Sequence, residues 1–227
     1  MEPGCAGGVS ALLRPGKRPE AGGQPPSYGP GVPRPRTLLP LLVALPALLL
    51  AGLGLLHPVF LTPETAERWR LLHLGLLPVF PLLAVSVWVL LRAERGPAAW
   101  GARVLAAAYA VLYGALDAIA GVGAAHQVLR TERRGDPRPP IEDLYDVADP
   151  LGALGVVALA AALLLTGLVL WLRGRRLLAP AGALVSTAGC WFFLQHHVFP
   201  PRGVVALVLV AAGLALLELS RRSPGRP

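Results

Sequence analysis

A chain of 227 residues that is 54% hydrophobic and only 15% charged, with a mean hydropathy of +0.57, is not composed like a water-soluble domain. Soluble domains carry about 25% charged residues. Lys and Arg number 21 against 13 Asp and Glu, a net +8 that in a soluble protein would point to nucleic acid. Here the cations fall mainly between apolar stretches, so they point to membrane orientation instead, and nucleic acid is not an expected partner.

Residues 1–36 are rich in Gly and Pro and hold Arg14, Lys17, Arg18, Arg34 and Arg36. Such a segment cannot bury enough apolar surface to offset its ordering entropy, which predicts a disordered, basic cytoplasmic tail. Lys17 is the only lysine beside many arginines, alanines and prolines, a composition expected of a GC-rich bacterial gene. Cys5 follows no apolar run, so no cleaved or lipoprotein signal is expected, and the first span serves as an uncleaved anchor. Cys190, the other cysteine, falls inside a later apolar span, so the two are not expected to pair.

Six apolar stretches follow, each near the ~20 residues that cross a bilayer as helix. They run over Thr37–Leu56, Leu71–Leu91, Ala102–Ala125, Leu151–Leu172, Leu178–Val198 and Gly203–Leu219. The expected fold class is all-α: a polytopic bundle of about six transmembrane helices over residues 37–220, ending in a short basic tail, 221–227. Pro40, Pro46, Pro78 and Pro81 predict kinks, which membrane helices tolerate when neighbours satisfy the freed carbonyls. The link before the second span starts like a helix, with Thr62 as N-cap, Pro63 at the first position and Glu64 four residues before Arg68. In the third span Ala110, Gly114 and Ala118 recur every four residues, followed by Gly121 and Gly123, the pattern of a close helix-packing face. The tryptophans fall mostly near span ends, where interfacial aromatics belong.

With the N-terminus inside, fourteen cations lie on the inner side and seven on the outer. The positive-inside rule therefore places both termini in the cytoplasm of a cell-membrane protein. The acids divide the other way, leaving the outer side at −1 and Asp117 alone within a span.

That topology puts all five histidines, His57, His73, His126, His196 and His197, at the outer boundary. Imidazoles converging from several helices can bind a transition metal or supply axial ligands to a haem. The plainer reading is a belt of interfacial side chains. Glu142, Asp146 and Asp149 precede the fourth span at i, i+4 and i+7, on one helical face, and could add oxygen ligands or attract a cation. They could equally serve only the helix macrodipole, and Pro150 could end the helix there. No HExxH or CxxC spacing is present.

Asp117 is the one ionisable residue deep in a span, where its insertion costs about 2.5–3.5 kcal/mol. Nine residues separate it from His126, which puts the two on opposite faces of a regular helix, so it is expected to stand apart from the histidines. Three functions follow from these features. The first is an outer-face histidine site holding a metal or haem, and the second a small proton-coupled transporter using Asp117. The third is a non-catalytic membrane subunit that packs against protein partners or its own copies within the lipid bilayer. No residue is assigned a catalytic role.

Overall fold

The computed structural model describes residues 35–135, 137, 141–174 and 177–222, the side chains of 35–37 excepted. The tail expected over 1–36 therefore lies outside the described residues, apart from its last two, which begin the first helix. Of the C-terminal tail, Arg221 and Arg222 are described.

The described chain is helical and contains no strand. In order it forms α1 (Pro35–Gly54), α2 (Ala66–Leu76), α3 (Phe80–Leu90) and α4 (Pro97–Leu116). A π-helical segment, Asp117–Gly123, leads into α5 (Ala124–Arg134), followed by α6 (Glu142–Leu172), α7 (Leu178–His196) and α8 (Arg202–Ser220). Five segments are long and apolar enough to cross a bilayer: Ala66–Leu90, Pro97–Arg134, Glu142–Leu172, Leu178–His196 and Arg202–Ser220. Leu38–Gly54 of α1 is a shorter apolar helix. The chain is thus an all-α, multi-pass membrane bundle.

Prolines and glycines explain the local departures from the expected spans. The kink predicted at Pro78 and Pro81 is a break between α2 and α3, whereas Pro40 and Pro46 stay within α1. Pro150 does not stop α6. Its missing N–H frees only the carbonyl of Asp146, which sits on an exposed turn where water or headgroups can reach it.

The packing stripe predicted on the third span is also displaced. Gly114 has open space beside it and Ala118 is exposed. The buried face of α4 is Ala99, Ala102, Ala106, Tyr109 and Tyr113, and it packs on α3 and α6. The closest helix crossing joins α7 to α8, where a Cβ at Gly182 or Gly189 would strike backbone atoms of α8, and one at Gly213 would strike Ser186. α8 also packs on α1, and α6 on α7.

The bundle's two ends differ in chemistry. At the end formed by the α3–α4 link and the C-termini of α6 and α8, Arg92 forks onto the buried Glu218 at 2.9 and 2.8 Å. That contact holds the Arg92 guanidinium above its ordinary pKa. Glu94 pairs with Arg173 at 3.2 Å, and Arg103 lies over the rings of Trp88 and Trp100. The histidines lie at the other end.

Candidate metal centre

The link between α1 and α2 carries His57 into the bundle. Arg68 in α2 donates to the Leu56 carbonyl at 2.6 Å, tying the link back onto the helix it precedes. Thr65 Oγ1 donates to the Phe60 carbonyl at 2.7 Å and accepts from the Thr62 N–H. Thr65, not Thr62, therefore stands at the start of α2, because its hydroxyl is used to fold the link. Arg68 serves the same link, and Glu67 pairs with Arg70 at 2.7 Å.

His57 Nδ1 lies 2.7 Å from the Pro58 carbonyl, and His73 Nδ1 lies 2.8 Å from the Trp69 carbonyl. A carbonyl can only accept, so each Nδ1 carries the proton and each Nε2 presents a lone pair. Those two Nε2 atoms face one another at 3.4 Å. Two ligands on a tetrahedral ion with metal–nitrogen bonds near 2.0–2.1 Å stand about 3.3 Å apart, so the pair has ligand spacing.

His197 completes the group. The ligand atoms of His57, His73 and His197 all lie within 4.8 Å of one another. His197 follows the last residue of α7 with φ 49° and ψ −142°, and it is the only non-glycine with positive φ among the described residues. Its Nδ1 is engaged by Tyr113 of α4, whose hydroxyl hydrogen-bonds it while the rings stack at 5.7 Å.

Burial keeps the His57 and His197 rings neutral. Removal from water is the main cause that lowers His57 to about 4, with His73 adding to it, and that lowers His197 to about 3, with His57 and His73 adding to it. A neutral imidazole is the form a metal requires. Trp69, the one tryptophan that is not at an exposed position, stacks on His73 at 5.1 Å and helps exclude water.

Asp117 is not separate from this group. Its Oδ1 lies 3.8 Å from His73 Nε2, and both carboxylate oxygens are buried without a hydrogen-bond partner among the described residues. Comparison with His126 missed this, because the relevant imidazole comes from the neighbouring span. The π-helical segment begins at Asp117 and carries Gly121 against the His73 ring, where a Cβ would overlap Cδ2.

The remaining candidates are not brought into the group. His126 is exposed on α5, and His196 is half-buried with its ring 6.3 Å from Phe192. Glu142, Asp146 and Asp149 are exposed at the start of α6, and none joins the three imidazoles at ligand spacing. Tyr113, Trp69 and Gly121 carry roles that the sequence did not assign. Their only signal there is position: Trp69 four residues before His73, Tyr113 four residues before Asp117.

A cavity of about 1090 Å³ adjoins the imidazoles, with His73, His197 and Tyr113 in its wall. Comparison of the chain with protein-family models, with curated proteins and with solved structures finds no match.

Proposed function

We propose that this multi-pass bundle binds a single transition-metal ion through His57, His73 and His197, with Asp117 balancing charge beside it. The observation that carries the reading is the pair of bare Nε2 atoms at 3.4 Å, each fixed by a backbone carbonyl on its far nitrogen. Two acceptors at that distance repel unless a cation lies between them, and a hydrogen bond to the outer nitrogen is the usual support of a metal-bound histidine. Imidazole donors suit zinc, copper, iron or nickel.

An ion is favoured over haem by the crowding around His57. Its ring lies 5.0 Å from His73, 4.6 Å from Trp69 and 4.7 Å from Phe199, which leaves no slot for a porphyrin between the two imidazoles. Of the three imidazoles, His73 and His197 face the cavity, and three protein ligands beside a cavity are the arrangement of a site that keeps a coordination position open.

We place the centre on the extracytoplasmic side of a cell membrane, with both termini cytoplasmic. The fourteen-to-seven division of cations supports that orientation.

Elemental analysis of the purified protein, after incubation with each divalent ion and removal of the excess, tests the proposal. One ion per chain is expected for the wild type and for His126→Ala, and none for His57→Ala or His73→Ala. A folded wild type that retains no ion would refute the reading, and a Soret band would replace the ion with haem.

A further inference from the structure

We propose that the cavity beside the imidazoles binds a membrane-dissolved amphiphile, its polar head on the open position of the metal and its hydrocarbon chain along the apolar wall. This inference rests on the metal reading above and assigns that site its class of ligand.

The cavity joins two chemistries within one enclosure. His73 and His197 bring imidazoles to its wall, whereas Leu116, Val156 and Phe193 give it aliphatic and aromatic surface. Its volume of about 1090 Å³ is at the upper end of the range that encloses a whole small molecule, far more than a water or an inorganic anion needs. A ligand that used only the metal end would leave the apolar wall uncovered.

The rim says where such a ligand comes from. Val59 and Phe60 both line the cavity, and Phe60 is 74% exposed. They continue an exposed apolar run from Leu55 and Leu56 on the link that delivers His57. Asp149 and Arg202 also line the cavity, and both are exposed and charged. An opening with one apolar and one charged edge belongs at the boundary between hydrocarbon and headgroups, where amphipathic groups sit. A molecule dissolved in the bilayer reaches the metal past Val59 and Phe60 without leaving an apolar environment, while its head passes the charged edge.

The class is therefore a single-chain lipid whose head offers an oxygen donor to a metal, such as a carboxylate, an amide or an ester carbonyl. A compact hydrophilic ligand fits the ion but not the walls. A two-chain lipid has a second tail that the cavity does not need.

The test uses the full chain in phosphatidylcholine nanodiscs, with bound zinc counted first. Dodecanohydroxamate and acetohydroxamate share one chelating head and differ in the chain. Ala153 lines the cavity, so Ala153→Trp is expected to fill it. The variant is expected to keep its zinc and its acetohydroxamate affinity within twofold, and to lose at least tenfold in dodecanohydroxamate affinity. Comparing variants in identical nanodiscs cancels the partitioning of the long chain into lipid.

A second measurement needs no substitution. A diazirine at the chain terminus of dodecanohydroxamate is expected to label wild-type peptides from 141–156 and 193–199. Equal loss of both hydroxamates in Ala153→Trp, no loss of either, or labelling confined to α1 would overturn the amphiphile. So would zinc-loaded protein that binds neither hydroxamate. Absence of zinc and of every other divalent ion at the first step would identify failure of the metal reading itself.

Discussion

His57 Nε2 and His73 Nε2 face each other at 3.4 Å although sixteen residues and two different backbone environments separate them. Each outer nitrogen is held by a carbonyl of its own chain segment, Pro58 for one and Trp69 for the other. The rings therefore cannot turn to hide their lone pairs without breaking a buried hydrogen bond, worth about 0.5–1.5 kcal/mol net. If the proposed cation binds here, it meets a preorganised pair of imidazoles rather than assembling one.

Preorganisation in a water-poor pocket has a consequence for pH. His57 and His197 take up no second proton in the folded protein until the pH falls to about 4 and about 3, against 6.5 when exposed. Protons therefore compete weakly with the metal, and zinc affinity is expected to change less between pH 7 and 5 than at an exposed histidine site. The metal-free protein behaves oppositely. Below pH 6.5 the unfolded chain takes up protons that the folded chain refuses, so stability falls as pH drops from 6.5 towards 4. Melting temperatures of loaded and metal-free protein over that range check both halves.

Tyr113→Phe removes the hydroxyl that hydrogen-bonds His197 Nδ1 and leaves the stacked ring in place. With Nε2 as the ligand atom, Nδ1–H donates to the tyrosine oxygen and sets the ring's orientation. Loss of such an outer partner typically costs 10–100-fold in metal affinity. Competition with a chelator of known affinity is expected to show that loss, with one zinc still bound at saturation.

Gly121→Ala places a methyl group against the His73 ring. Relief requires movement of a side chain that is itself hydrogen-bonded and stacked on Trp69. Overpacking of this kind costs about 1–3 kcal/mol, so a lower melting temperature and weaker zinc binding are expected together. Gly114→Ala, with open space beside it, is expected to change neither.

The fold was legible because hydrophobicity alone fixes a membrane span, and the apolar stretches stand out against sparse charge. The candidate site was half legible. His57, His73 and His197 were visible as rare polar residues at one boundary, but so were His126 and His196, and periodicity does not tell which imidazole turns inward. Position along a helix set Asp117 apart from His126 yet concealed His73, since contacts between spans leave no spacing in one sequence. Gly121 illustrates the same limit: as a member of a small-residue stripe it signalled helix packing, while its neighbour is a histidine ring.

Asp117→Asn distinguishes the metal reading from the carrier reading. The carboxylate lies 3.8 Å from His73 Nε2 and has no hydrogen-bond partner among the described residues, so its charge would act directly on a bound cation. Weaker zinc binding is expected, with no change in proton flux measured in proteoliposomes. A pH-dependent flux in the wild type that Asp117→Asn abolishes, with zinc affinity unaltered, would favour proton-coupled transport instead.

His197 provides the most specific test, because its backbone conformation opposes its side chain. A φ of 49° with ψ −142° suits glycine and costs other residues on the order of 1–3 kcal/mol. That strain sits at the residue whose ring closes the three-imidazole group, and the surrounding structure must hold it there. His197→Ala keeps the strained Cβ but loses the ring, whereas His197→Gly loses both. Neither variant is expected to bind zinc with wild-type affinity. In the metal-free state, however, His197→Gly is expected to melt above His197→Ala, by the few degrees that about 1 kcal/mol produces. Equal melting temperatures would mean that the backbone at His197 relaxes without cost, and that the ring is not held in place by strain.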